Sequence, residues 1–203
     1  MQTFPHMKLL AASDLHTDLA AARRLVEASR GADVVVVAGD LASVHRGLEE
    51  TVEALERIET PTVLVPGNNE TDVALREACD GWVAATVLHG EATELDGRPF
   101  FGLGGGVPVT PWDWSFDLTE ADAAEMLASC PEGAVLVVHS PPLGHVDRSG
   151  SRELGSEAVL RAIEEKRPAV ALCGHIHESW GRESRIGPTP VINLGPDGRL
   201  IEL

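Results

Sequence analysis

The sequence has little cysteine and no long apolar run. Three cysteines, Cys79, Cys130 and Cys173, are odd in number and widely spaced along 203 residues. This pattern suggests neither a disulfide framework nor a thiolate zinc site, and we expect all three cysteines to pack in the core. Apolar runs such as Val34–Ala38 fall far short of the roughly 18 residues that span a membrane. We therefore expect no transmembrane helix and no membrane partner.

Basic residues are also scarce. Lysine and arginine number 16 against 32 acidic residues, which gives a net charge of −16. This charge repels long polyanions, so we expect no polymeric nucleic acid as substrate or partner. The initial stretch MQTFPHM lacks the basic start and apolar core of a secretory signal, which predicts a cytoplasmic protein. The length predicts one α/β domain over residues 1–203.

Short apolar runs alternate with amphipathic segments. The continuous apolar run Val34–Ala38 is typical of a strand buried on both faces of a parallel sheet. The Asp96-Gly97 pair predicts a hairpin, which is an antiparallel element. The predicted strands are Lys8–Ser13, Val34–Ala38, Thr62–Val65, Ala92–Leu95, Pro99–Leu103, Ala134–Val138, Ala169–Cys173, Val191–Leu194 and Leu200–Leu203, the last two flanking a second turn at Asp197-Gly198. The predicted helices are Leu19–Ser29, Leu48–Ile58, Glu120–Ser129 capped by Thr119, and one capped by Ser156.

Polar side chains follow five of these strands, where each strand ends. They are Asp14, His16, Asp40, Asn68, His139, His175 and His177. Because the carboxyl ends of parallel strands line one crevice, we expect these side chains to converge. Imidazole, carboxylate and amide oxygen suit Mn, Fe, Zn or Ni better than Mg or Ca, and we favour Mn.

Seven ligands are too many for one metal ion, so the pattern predicts two divalent metal ions. Asp40 is the natural carboxylate to bridge them. Two cations about 3.5–4 Å apart clamp a phosphoryl group and turn a water between them into a nucleophile near neutral pH. Each motif alone is weak, and Asp14-Leu-His16 by itself is more often a helix cap beside a surface histidine than part of a metal site. The ordered set carries the interpretation.

The pattern resembles the calcineurin-like metallophosphoesterase superfamily, whose motifs run D-x-H, G-D, G-N-H-D/E, H and G-H-x-H. Here they read SDLH, GD, GNNE, VVHS and GHIH. The resemblance covers essentially the whole chain. Within the superfamily, the sequence most resembles the short Icc-related predicted phosphoesterases. It implies two packed mixed β-sheets flanked by helices, a division that the strand pattern alone does not predict. It also implies two ligand sets: Asp14, His16, Asp40 and His177 for one metal, and Asp40, Asn68, His139 and His175 for the other.

The chain departs from the family pattern at Asn69, where most members have histidine. In the family that histidine contacts the scissile phosphate and helps to protonate the leaving oxygen, whereas an amide cannot carry a proton near pH 7. Asn69, Asp40 and His139 are our candidate catalytic residues. Short members without this histidine are associated with diesters, so we expect a phosphodiesterase acting on a cyclic nucleotide or dinucleotide. The alternative functions are a phosphomonoesterase and a non-catalytic scaffold. The sequence also leaves a homodimer open.

Weaker candidates lie near these motifs. Two loop histidines could serve as acids, two arginines and a helix N-terminus could bind phosphate, and two tryptophans could stack on a base. In that order they are His45, His145, Arg148, Arg152, Ser156, Trp112 and Trp114. The plain alternatives are solvated loop residues, surface charge, and tryptophans that cover an edge of the core.

Overall fold

The computed structural model describes residues 6–203, so most of the N-terminal stretch considered above lies outside it. Residues 6–203 form thirteen strands and five α-helices, with one 3₁₀ turn at His177–Ser179. The strands are β1 (Lys8–Ala12), β2 (Val34–Ala38), β3 (Thr62–Val65), β4 (Ala85–Val87), β5 (Glu91–Leu95), β6 (Arg98–Leu103), β7 (Val135–Val138), β8 (Arg148–Ser149), β9 (Arg152–Glu153), β10 (Val170–Cys173), β11 (Glu183–Ile186), β12 (Thr189–Asn193) and β13 (Arg199–Glu202). The helices are α1 (Leu19–Ser29), α2 (Leu48–Leu55), α3 (Asp72–Ala78), α4 (Glu120–Leu127) and α5 (Glu157–Lys166).

Two large mixed sheets form the centre of the fold. The first has the order β13-β1-β2-β3-β4, with β1 to β4 parallel and β13 antiparallel to β1. The second has the order β11-β12-β10-β7-β6-β5, in which only the edge strands β11 and β5 run antiparallel to their neighbours. The two-sheet fold that the resemblance implies is therefore confirmed.

The sheets pack face to face with helices outside, which gives three apolar layers. Along β2, Val34 and Val36 contact the layer between the sheets, while Val35 and Val37 contact α1 and α2. This strand is buried on both faces, as its unbroken apolar sequence predicts. Helices α4 and α5 cover the outer face of the second sheet.

Most predicted elements are present, with differences at their ends. Helix α2 ends at Leu55 and α4 at Leu127, each short of the predicted end. The side chains of Thr119 and Ser156 cap their helices as predicted. The two strands beside Asp197-Gly198 do not pair with each other, because the chain passes there from one sheet to the other.

The sequence interpretation missed the helix α3 and the strands β4, β8, β9 and β11. Helix α3 has seven residues and buries only Leu75, so it carries almost no apolar period. Its start is stabilised instead by Thr71, whose hydroxyl accepts a hydrogen bond from the Ala74 backbone N–H. Across residues 6–203, no helix has the length and hydropathy needed to cross a membrane.

The layer between the sheets can be tested at Phe100, which is fully buried there. We expect Phe100→Ala to lower the free energy of unfolding by about 3–5 kcal/mol, because it removes a large apolar group and leaves a cavity. Chemical denaturation measures the change. Val83→Ala is the control, since Val83 is fully exposed and its truncation should stay within about 0.5 kcal/mol. A loss below about 1 kcal/mol at Phe100 would mean that this layer does not hold the sheets together.

Candidate metal centre

The candidate site lies where the carboxyl ends of strands from both sheets meet. Asp14, Asp40 and Asn68 follow β1, β2 and β3 of the first sheet, and His139 and His175 follow β7 and β10 of the second. Within the first sheet, the backbone N–H of His16 donates to the Asp40 carbonyl at 2.9 Å. Between the sheets, His139 Nδ1 lies 2.9 Å from the carbonyl oxygen of Ala38 at the end of β2.

Four of the candidate ligands have a left-handed backbone, which is unusual for residues other than glycine. The φ angles are 55° at Asp14, 43° at His16, 56° at Asp40 and 67° at His175. Such residues cost of order 1–3 kcal/mol each and persist only where the surrounding structure holds them. Their concentration here indicates that the sheets stabilise a local geometry that the loops would not adopt alone.

Close backbone approach also requires glycine. A Cβ atom at Gly67 would overlap the Asp40 side chain and backbone N, and one at Gly174 would overlap the Asp14 carboxylate. The glycines in the GN and GH motifs therefore make room for the two carboxylates.

The first group of possible ligands is Asp14, His16 and His177, whose ligand atoms lie within 4.8 Å of one another. Nε2 of His16 is 3.0 Å from Nε2 of His177, and Nε2 of His177 is 3.9 Å from Asp14 Oδ1. Nδ1 of His16 faces the Ala42 carbonyl at 3.2 Å. Because a carbonyl only accepts, Nδ1 carries the proton, and a neutral His16 presents its Nε2 lone pair to the group.

The second group is Asp40, His139 and His175, within the same 4.8 Å limit, joined by Asn68. Asn68 Oδ1 lies 3.2 Å from His139 Nε2 and 3.1 Å from His175 Nδ1. Asn68 Nδ2 donates to Ser115 Oγ at 2.8 Å, and Ser115 in turn donates to Asp117 at 2.7 Å. This chain fixes the amide with its oxygen towards the imidazoles.

Asp40 lies between the two groups. Its Oδ1 is 3.5 Å from His139 Nε2, and its Oδ2 is 3.5 Å from His16 Nε2. One carboxylate oxygen therefore faces each group, which is the arrangement that a bridging ligand requires. With imidazole nitrogens, carboxylates and one amide oxygen, the donor set fits two divalent ions of the Mn, Fe, Zn or Ni class.

The charges of the site favour a bound cation. Burial alone would lower the pKa of His139, but the carboxylates of Asp40 and Asp14 outweigh it and raise this pKa to about 9. Burial alone would raise the pKa of Asp40, but His139, His16 and the Asn69 backbone N–H outweigh it and hold this pKa below its ordinary value. The same negative potential that retains a proton on His139 attracts a metal ion, and metal binding would release that proton.

His175 is already a neutral ligand. Burial, followed by the neighbouring His139, lowers the pKa of His175 to about 3. Burial likewise lowers the pKa of His177. These two imidazoles would therefore not have to lose a proton before they could bind a cation.

Three supporting residues were not found from the sequence. Trp180 donates from Nε1 to Asp14 at 3.1 Å, and its ring centroid lies 4.3 Å from that of His177. Buried Glu70 accepts backbone N–H groups from the loops after β2 and β3, at 2.7 Å from Gly67. Ser115 is the third. Glu70 is the last residue of the GNNE motif, so the sequence could have indicated its role. Nothing in the sequence indicated the roles of Trp180 and Ser115.

Asn69 contacts Asp40 directly. Its backbone N–H donates to Asp40 Oδ1 at 2.9 Å, and Nδ2 donates to Oδ2 at 2.8 Å. Its Oδ1 accepts from the Val44 backbone N–H at 2.8 Å. The residue is 6% exposed, so Asn69 is placed to hold the Asp40 carboxylate in position. Its expected position beside the leaving group stays a prediction.

The structure places the weaker candidate residues in different settings. The N-terminus of α5 is not a free anion site, because Glu120 accepts from Ser156 Oγ and from the backbone N–H groups of Glu157 and Ala158. The sequence could not show this long-range contact. Arg148 pairs with Glu153 at 3.0 Å. The remaining residues, His45, His145, Arg152, Trp112 and Trp114, lie on loops or on the small β8–β9 hairpin, and His45 contacts the tryptophan segment.

Comparison with known proteins gives consistent matches. The sequence model of the calcineurin-like phosphoesterase superfamily domain matches residues 7–200. An uncharacterized protein of Methanocaldococcus jannaschii is 30% identical over 206 residues, covering 97% of this chain and 91% of its own length.

Solved structures show the same fold. TT1561 of Thermus thermophilus has a TM-score of 0.77 at 18% identity, over 98% of this chain and 99% of that one. A phosphopantetheinyl hydrolase from Mycobacterium tuberculosis has a TM-score of 0.68 at 16% identity, over 96% of this chain and 95% of that one.

The role of Ser115 can be tested by metal affinity. We expect Ser115→Ala to weaken metal binding about 10–100-fold, because the Asn68 amide loses the contact that orients it. Isothermal titration of metal-free protein with Mn²⁺ measures the change. Ser129→Ala is the control, since Ser129 is exposed and its hydroxyl bonds the Met126 carbonyl of α4. Equal Mn²⁺ affinity in the two variants would show that Asn68 does not depend on Ser115.

Proposed function

The chain belongs to the calcineurin-like phosphoesterase superfamily and is a metal-dependent hydrolase of phosphate esters, and we propose that its substrate is a small phosphate diester. A cyclic nucleotide or a dinucleotide is the type we favour. The observation that carries the proposal is the placement of Asp40 between two groups of ligands, in a site that has asparagine rather than histidine at position 69.

We assign the ligands as follows. Asp14, His16 and His177 would hold one cation, Asn68, His139 and His175 would hold the other, and Asp40 would contribute one oxygen to each. Mn²⁺ is the ion we favour. When bound, such a pair supplies electrostatic stabilisation of the phosphoryl oxygens and an activated water nucleophile. The proposal is supported by the inward-facing Nε2 atoms of His16 and His139 and by the negative potential around Asp40.

In this site the negative charge of the substrate would be compensated mainly by the two metal ions, with little help from protein side chains. Two acidic residues, Asp14 and Asp40, belong to the ligand set, and Glu70, whose pKa burial and the Asp40 carboxylate raise to about 7, is buried beside them. In the described part of the chain, no lysine or arginine donates a hydrogen bond to any of the seven ligand side chains. A diester monoanion brings less negative charge into this site than a monoester dianion does.

The lack of a proton donor for the leaving group favours a diester. Asn69 cannot supply a proton near pH 7, and its amide is already engaged by Asp40 and by the Val44 backbone. His45, the nearest histidine in sequence to Asp40 outside the ligand set, has Nε2 2.6 Å from the Trp114 carbonyl oxygen. The enzyme should therefore depend on leaving groups that depart without full protonation, with rates that rise steeply as the leaving group becomes more acidic.

Substitution at position 69 tests the proposal. We expect Asn69→His to raise the kcat/KM for an aryl monoester, relative to the matched diester, by about 10-fold, because an imidazole can protonate the leaving oxygen. The gain is below the usual range of general-acid catalysis because nothing in the site orients the new ring. Both esters are assayed with Mn²⁺.

Asn69→Ala is the matched control. It removes the contact with Asp40 without adding an acid, so both substrates should lose activity in similar proportion. Two results would oppose the proposal: a wild-type preference for the monoester, or a ratio that Asn69→His leaves unchanged. A protein that holds its metals and cleaves neither ester would favour a non-catalytic scaffold.

A further inference from the structure

We propose that Trp112 and Trp114 form an aromatic subsite that binds the nucleobase of the substrate beside the metal centre. This inference rests on the proposed function, since it names the part of a nucleotide ester that lies outside the phosphate. It arises from two tryptophans that pack on each other in a loop next to the candidate ligands.

The two indoles stack. Their ring centroids are 5.5 Å apart and their planes differ by 13°. Trp112 is 50% exposed, so it is not a cover for the core. Trp114 is half-buried, and the ring of His45 packs edge-on to it at 6.4 Å. Trp112 therefore has the accessible ring surface. Trp114 packs against Trp112, and His45 packs against Trp114.

The segment that carries the indoles is held firmly. The Asp117 carboxylate accepts from the Thr110 backbone N–H at 2.8 Å and from the Thr110 hydroxyl at 2.7 Å. Gly106 bonds to both sides of Asp117, with its N–H donating to Phe116 O at 2.9 Å and its carbonyl accepting from Leu118 N at 2.8 Å. The ends of the loop are thus closed on each other, which reduces the ordering cost of binding a ligand to it.

The same segment is bonded to the candidate metal ligands. Ser115, which follows Trp114, accepts from the Asn68 side chain, and the Phe116 backbone N–H donates to the Asn68 carbonyl at 3.0 Å. On the other side, the His45 backbone N–H donates to the Asn69 carbonyl at 2.9 Å. Adjacent Cα atoms are about 3.8 Å apart, so the Trp114 backbone lies immediately beside the residue that orients Asn68.

This placement suits a nucleotide. In a nucleoside phosphate the base lies on the far side of the ribose from the phosphate, so a phosphate at the metal centre brings the base to the surrounding rim. Stacking on an indole requires only the flat face of a base and tolerates any base. It needs no positive charge, which agrees with the net charge of −16 and with a small ligand rather than a polymer.

The test compares two ligands that differ only in the base. AMP and 1-O-methylribose 5-phosphate carry the same phosphate on the same sugar, and isothermal titration of Mn²⁺-loaded protein measures both affinities. We expect the wild type to bind AMP about 10-fold more tightly, as one base–aromatic stack provides. Trp112→Ala should remove this difference and leave the affinity for the sugar phosphate unchanged, while Trp112→Phe should keep part of it.

Val109→Ala is the matched control, because Val109 is 59% exposed in the same loop and should keep the AMP preference. Equal affinities of wild type for the two ligands would overturn the subsite. So would an equal loss of both affinities in Trp112→Ala, since that would mean that the loop supports Asn68 and does not bind the base. If neither ligand binds while the metal content is intact, phosphate recognition itself fails, and the proposed function falls together with the subsite.

Discussion

The structure depends on keeping one carboxylate, that of Asp40, buried between two groups of imidazoles. A buried carboxylate without partners is strongly unfavourable, and here both oxygens receive hydrogen bonds from Asn69 and face a histidine. Without a cation, the proton on His139 supplies the compensating charge, which is why the pKa of that residue rises to about 9. The centre therefore stabilises positive charge even when no metal is bound.

The two sheets make this arrangement possible. The left-handed residues at the site cannot hold their own conformation, and they are fixed by hydrogen bonds to neighbouring strand ends and by Glu70 between two loops. Because His139 and His175 come from the second sheet, the site exists only when both sheets are packed. The apolar layer around Phe100 thus positions the ligands as well as stabilising the fold.

The sequence predicts some of these features well, for physical reasons. The strand β2 is identified by its run of β-branched residues, and the ligands are found because side chains at carboxyl strand ends converge whatever their separation in the chain. The pairing of strands into two sheets is not in the local pattern and came only from the family resemblance.

Long-range polar contacts are harder still. The Ser115 to Asn68 bond spans 47 residues, the Trp180 to Asp14 bond spans 166, and the bond by which Glu120 occupies the start of α5 spans 36 to 38. No periodicity or motif encodes such pairs. The sequence shows only that Asn69 stands where the family has a proton-donating histidine. Its bonds to Asp40 and to the Val44 backbone N–H are visible only in three dimensions.

The most direct test of the metal centre is the number of metal ions bound per chain, measured by mass spectrometry after reconstitution with Mn²⁺ and removal of the excess. Two ions per wild-type chain are expected, with both lost in Asp40→Ala because one carboxylate serves both. Asp113→Ala, which changes an exposed acid, should keep two. A single ion in the wild type, or two retained in Asp40→Ala, would contradict a centre bridged by Asp40.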